Sequence, residues 1–128
     1  MTAEEREQAA LFQWVAYNAD RHPALRWLFH CPNGGHRIKA VAAKLKALGV
    51  RRGVPDLWLP VPRGDYHGLV IELKAGRNKA TPEQDDWLRG LGALGYKTTV
   101  ATGWEQARDA VLWYLELPEP APSAELGD

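Results

Sequence analysis

Residues 69–76 read Leu-Val-Ile-Glu-Leu-Lys-Ala-Gly, an apolar run with two charges inside it. Its β-branched and large apolar residues favour a strand, and side chains two apart in a strand share a face. Leu69, Ile71 and Leu73 then line one face, which has to be covered by a core. Val70, Glu72 and Lys74 line the other, so a carboxylate and an ammonium lie side by side near the end of a strand that is otherwise built for burial. This placement constrains the chain more than any other feature, because burying either charge without a partner is expensive.

The elements around this strand can be read from capping signals and from changes of period. Thr2-Ala3-Glu4-Glu5 has capping-box spacing, and Leu11, Trp14 and Val15 follow at helical intervals, so a helix is expected over residues 3–18. Pro23 opens a short helical turn carrying Leu25, Leu28 and Phe29, and Cys31-Pro32-Asn33-Gly34-Gly35 reads as a turn. From His36 to Leu48, the residues Ile38, Val41, Ala42, Leu45 and Leu48 form one helical stripe, stopped at Gly49. Then the period changes. Pro55–Val61 and Tyr66–Lys74 read as strands of a hairpin turned at Pro62-Arg63-Gly64-Asp65. Thr81-Pro82-Glu83-Gln84 starts another helix, which runs to Gly95; Tyr96–Ala101 is a third strand. Thr102-Gly103-Trp104-Glu105 caps a last helix ended by Pro118. A hairpin followed by a strand–helix–strand crossover implies an α/β (α+β mixed) domain, a mixed sheet flanked by helices.

The 128 residues suffice for one domain with a proper core. Residues 1–117 are expected to form it, and the acidic, proline-rich residues 118–128 a disordered tail. No apolar run approaches the roughly 20 residues of a membrane span, the N-terminus is polar, and the single cysteine, Cys31, suits a reducing cytoplasm. The formal net charge is zero, but its distribution is uneven. Between Asp20 and Asp56 there are eight basic residues and no acid; from Glu105 onward there are six acids and one base, Arg108. A neutral chain arranged this way can still offer a basic surface to a polyanion.

Gly53-Val54-Pro55-Asp56 precedes the first strand of the hairpin, and Glu72 follows sixteen residues later on its neighbour. If the strands pair, Asp56 and Glu72 approach on one face. Two carboxylates repel unless a cation lies between them, and hard oxygen ligands suit Mg²⁺ or Mn²⁺. Lys74 beside them can meet the charge that builds on a phosphate. Together these residues fit metal-assisted phosphodiester hydrolysis, whereas each alone is an ordinary turn or edge-strand ion pair. His22, His30, Cys31 and His36 lack the cysteine count and tight spacing of a structural zinc site. The six tryptophans read mostly as packing, with Trp58 left open.

Asp56 with Glu72-Leu73-Lys74 resembles the PD-(D/E)xK nuclease signature. Gly49-Val50, Gly53-Val54-Pro55-Asp56, Gly68 to Lys74, Thr81-Pro82-Glu83-Gln84, Gly95-Tyr96 and Gly103-Trp104-Glu105-Gln106-Ala107 together resemble the VRR-NUC family, in order, over roughly residues 4–116. The resemblance implies a restriction-endonuclease-like fold and a Mg²⁺- or Mn²⁺-dependent DNA endonuclease, often acting on branched, flap or junction DNA. It implies Asp56, Glu72 and the Leu73 backbone carbonyl as metal ligands, Lys74 as the catalytic lysine and Gln84 as an orienting residue; a helix cap is the plainer role for Gln84. It also implies an acid in the first helix. Glu4, Glu5 and Glu7 all qualify; Glu4, which shares a face with Gln8, is favoured, and all three can be read as dipole-favoured first-turn acids.

Asn33, Arg37, Lys39, Lys44, Lys46, Arg51 and Arg52 are the expected DNA-backbone contacts, which carry affinity rather than sequence preference. A small domain covers little DNA, so a homodimer is expected. Two other readings remain at this stage: a catalytically silent nucleic-acid-binding module of the same fold, and an interaction protein whose Glu-Lys pair is a surface ion pair.

Overall fold

A computed structural model describes residues 1–32 and 39–121. The order of elements is α1 (Ala3–Asn18), a 3-10 turn (Pro23–Trp27), β1 (Phe29–His30), α2 (Lys39–Ala47), β2 (Leu57–Leu59), β3 (Leu69–Lys74), α3 (Pro82–Ala93), β4 (Lys97–Thr102) and α4 (Trp104–Leu115). The strands form one mixed sheet in the order β1-β2-β3-β4, with β1, β2 and β3 antiparallel in turn and β3 parallel to β4. Among the described residues, no helix is long and apolar enough to cross a membrane.

The sheet separates two apolar layers, as the alternation along β3 requires. On one side, Leu69, Ile71 and Leu73 join Leu57 and Leu59 of β2, Leu11 of α1 and Ala107, Val111 and Tyr114 of α4. On the other, Val70 packs with Leu88 and Leu91 of α3, beside Trp58, Trp87 and Tyr96. The strand is buried along its whole length, so Glu72 and Lys74 are inside the protein rather than on a solvated edge. Trp58 packs edge-on against Tyr96 and donates its indole N–H to the Pro55 carbonyl, which makes it a packing residue.

Local signals placed the helix starts well where a side chain of the same segment does the capping. Thr2 with Glu5 and Thr81 with Gln84 both form complete capping boxes. At α4 the expectation needs correction. Its N-cap is Gly103, which has no side chain to offer; Thr102 does not cap the helix but donates its own N–H to Gln106 Oε1. The Trp104 N–H is taken by Glu7 Oε1 at 2.9 Å, from a residue 97 positions earlier in the chain.

Three other expectations change. The turn from Pro23 ends at Trp27, and Phe29 with His30 forms a strand too short for any period to reveal. The described part of the basic helix begins at Lys39, and its apolar stripe faces no core among the described residues: none of residues 39–47 is buried, and Val41 and Leu48 are exposed. Periodicity reports that a helix is amphipathic, not what covers it. Finally, Trp27 and Trp113 are exposed rather than core residues, each carrying a cation against its ring, Arg26 at 4.6 Å and Lys97 at 5.1 Å. Of the expected tail, Pro118 accepts from the Gly64 N–H and Glu119 lies 3.5 Å from Arg63; residues 122–128 lie outside the described set.

Candidate active site

The hairpin register explains how Asp56 and Glu72 meet. Leu57 pairs with Ile71 and Trp58 with Val70, so one further step puts Asp56 opposite Glu72. Gly68 and Lys74 use their carbonyls toward the β4 side, so the even-numbered residues of β3 hydrogen-bond that way and the odd-numbered ones toward β2. Asp56 and Glu72 therefore occupy a non-hydrogen-bonded position of the ladder, where opposing side chains are closest.

Pro55 has a consequence of its own. The same register places it opposite Leu73, whose N–H and C=O both point toward β2. Proline has no N–H, so the ladder supplies no donor for the Leu73 carbonyl. The Leu73 N–H is bound instead by Asp56 Oδ2 at 2.9 Å. One proline thus ends the ladder, frees a carbonyl and leaves the aspartate to close the gap. Asp56 is fixed from its other side as well, its carbonyl accepting from the Cys31 N–H at 2.7 Å and lying 3.1 Å from His30 Nδ1. That is the task of the two-residue strand β1.

Gly53 sets the approach of this segment to α3. It has φ +88°, and a Cβ there would come within 2.7 Å of the Glu83 backbone. Only glycine both adopts that conformation readily and permits the contact.

Glu72 is 2% exposed, and its Oε1 has no hydrogen-bond partner among the described residues. Lys74 Nζ lies 3.5 Å from Glu72 Oε2 and 3.7 Å from Glu4 Oε1. Burial first, and the adjacent Asp56 second, push the Glu72 carboxyl up to about 8 against the opposing pull of Lys74. Three carboxylates, Glu4, Asp56 and Glu72, face one ammonium, an excess of two negative charges if all ionise.

The sequence candidates are thus divided by the fold. Asp56, Glu72, the Leu73 carbonyl, Lys74 and Glu4 come together at the end of β3. Glu7 goes to the N-terminus of α4, and Glu5 to its own capping box. Gln84 spends its carbonyl oxygen on the Thr81 N–H at 2.9 Å, which leaves its NH₂ group for any second role. Lys39, Lys44, Lys46, Arg51 and Arg52 are exposed on α2 and the following loop, whereas Asn33 and Arg37 lie outside the described residues. His30 and Cys31 serve the Asp56 backbone, and among the described residues no group of three or more His, Cys, Asp and Glu side chains is arranged to hold a metal ion. Two side-chain carboxylates and a main-chain carbonyl form a different kind of donor set. Sequence reasoning missed Glu7 as a cap and β1 as a support; neither has a local signal, since both act on residues distant in sequence.

The fold is a mixed α+β domain, a four-stranded mixed sheet flanked by helices. The VRR-NUC domain profile matches residues 2–105, and the chain belongs to that family. A solved structure of a VRR-NUC domain protein aligns with a TM-score of 0.77 and 31% identity, over 93% of each chain. No curated protein matches the sequence.

Proposed function

We propose that this chain is a divalent-metal-dependent DNA endonuclease that hydrolyses phosphodiester bonds, acting on branched substrates such as flaps or junctions in the cytoplasm, as a homodimer. The observation that carries the reading is the buried, unpartnered Glu72 Oε1, set against Asp56 and beside Lys74. A buried carboxylate without a donor is costly, and a second carboxylate beside it raises the cost. The donor set suits a hard cation: Asp56, Glu72 and the freed Leu73 carbonyl would hold Mg²⁺ or Mn²⁺. When bound, such an ion supplies Lewis acidity toward a phosphoryl oxygen and lowers the pKa of water.

The protein's own groups do the rest. Lys74 directs an ammonium at the place where negative charge grows on the phosphate, in a site with little water to screen it. Glu4, 3.7 Å from the same ammonium, helps to hold it in position. Gln84, at the start of α3, would orient water or substrate through its amide NH₂. Arg51, Arg52, Lys39, Lys44 and Lys46, with Asn33 and Arg37, would hold the DNA backbone without reading bases.

Labelled single-stranded, duplex, flap and four-way-junction DNA, incubated with Mg²⁺, Mn²⁺ or chelator, tests this reading against Lys74→Ala. Metal-dependent cutting that the variant lacks is the expected result. Salt-sensitive binding without cutting by the folded wild type would instead identify a silent nucleic-acid-binding module.

A further inference from the structure

The two edges of the sheet are built differently. At one edge, β1 is two residues long and runs into Cys31-Pro32, a short edge of the kind that discourages strand pairing. At the other, β4 runs for six residues, Lys-Thr-Thr-Val-Ala-Thr, with no proline and one charge. That charge, Lys97, is drawn over the Trp113 ring and does not guard the edge. α3 and α4 cover the two faces of the sheet at β4, but among the described residues no strand continues the sheet past it.

The hydrogen-bond accounting shows which groups are open. The N–H groups of Lys97 and Gly103 bond to Gly68 and Lys74 of the β3 segment, so odd-numbered residues of β4 face inward and Thr98, Val100 and Thr102 face out. Thr102 has its N–H on Gln106. The backbone N–H groups of Thr98 and Val100 and the Thr98 carbonyl are left pointing away from the protein, and the Val100 carbonyl has only a 3.5 Å contact from the Thr99 hydroxyl. The Val100 side chain is 41% exposed beside them.

We propose that β4 is the pairing edge of a homodimer, in which a second copy adds its own β4 antiparallel about a two-fold axis at Thr99. In that register Thr98 lies opposite Val100 of the second copy, and the two open residues of each chain exchange four backbone hydrogen bonds. The arrangement is self-complementary, as a two-fold interface requires. Thr and Val form favourable cross-strand neighbours.

The inference gives a surface to the homodimer proposed above. A two-fold axis normal to the sheet leaves both Asp56–Glu72 pairs on the same face. Three strand spacings and the two-residue offset separate the two Glu72 positions by roughly 16 Å.

Light scattering after size exclusion should give twice the 14.3 kDa of one chain for the wild type. Val100→Pro removes an outward N–H while sparing the β3 ladder, and it should give a folded monomer by circular dichroism. Thr99→Cys in a Cys31→Ser background should crosslink across the axis under mild oxidation, since opposing non-hydrogen-bonded residues lie within disulfide reach. Should Val100→Pro fail to fold, the crosslink alone decides. A monomeric wild type at 100 µM, a dimer unchanged by Val100→Pro, or crosslinking through Val41→Cys on α2 but not through Thr99→Cys would each overturn the proposal. None of these readouts involves cleavage, so they succeed or fail independently of the nuclease reading.

Discussion

Glu72 and Tyr114 are both large polar side chains sealed inside the protein, at 2% and 0% exposure, and they are treated in opposite ways. Tyr114 donates its hydroxyl to the Val61 carbonyl at 2.6 Å. Glu72 keeps an oxygen with no hydrogen-bond partner among the described residues. Burial raises both acids, Tyr114 from its ordinary 10 and Glu72 to about 8. For the tyrosine this changes nothing near neutral pH, because a phenol is neutral there anyway. A carboxyl raised by the same physics must hold a proton or gain a cation at the pH where its ordinary form is charged. A buried polar group that is satisfied belongs to the fold; one left unsatisfied beside a second carboxylate points to something the site is built to receive.

The largest effect expected follows from removing the charge. Glu72→Gln should reduce single-turnover cleavage by about a thousandfold or more, roughly 4 kcal/mol of barrier. At pH 8.5 and without metal, the same variant should be more stable than wild type, because a neutral amide of the same shape replaces a desolvated carboxylate. Loss of activity with a gain in stability separates a functional carboxylate from a structural one. A Glu72→Gln protein less stable than wild type at pH 8.5 would place Glu72 with Tyr114 instead.

The pH dependence sharpens the same contrast. Below about 4.5, the ordinary value for glutamate, Glu72 is protonated in both folded and unfolded chains. Between there and about 8 the folded chain holds a proton that the unfolded chain has released, so stability falls as pH rises. The slope reaches at most about 1.4 kcal/mol per pH unit and should flatten above the folded value. Urea titrations of wild type and Glu72→Gln at pH 5.5 and 8.5 isolate this contribution, and Mg²⁺ should shrink the difference at pH 8.5. Tyr114→Phe should cost less, about 1–3 kcal/mol, because the Val61 carbonyl loses its donor. Its cleavage rate per folded molecule should be unchanged.

Much of this was legible in the sequence where cause and effect are close along the chain. The Thr2–Glu5 and Thr81–Gln84 boxes each lie within four residues, and the alternation along β3 gave both of its faces. The approach of Asp56 to Glu72 followed once the hairpin was recognised. What stayed hidden depends on contacts between distant segments. The support of Asp56 by β1 joins Cys31 to residue 56, and the uncovered stripe of α2 looks, in sequence, like any core-facing stripe. The ambiguity among the N-terminal acids was of the same kind. Helical spacing puts Glu4 and Glu7 on neighbouring positions of one face, and only the tertiary fold sends the first to Lys74 and the second to α4.

That division gives the smallest and most discriminating test. α4 begins at a glycine with φ +85° and no capping side chain, so Glu7 supplies the acceptor that its first turn lacks. Replacing it by alanine should cost about 1 kcal/mol, the usual value of a cap with some added benefit from a negative charge at a helix N-terminus. Cleavage should fall only a few-fold, because Lys74 retains both Glu72 and Glu4 and merely loses some of the rigidity with which α1 overhangs the strand end. Glu4→Ala should show the reverse pattern, with little change in stability at this partly exposed position and a larger loss of rate. Measured side by side by chemical denaturation and single-turnover cleavage, the two variants assign the roles. If Glu7→Ala proved the more damaging to cleavage at equal stability, the first-helix acid of the active site would be Glu7, and the contact between Glu4 and Lys74 would count as an ordinary ion pair at the margin of the site.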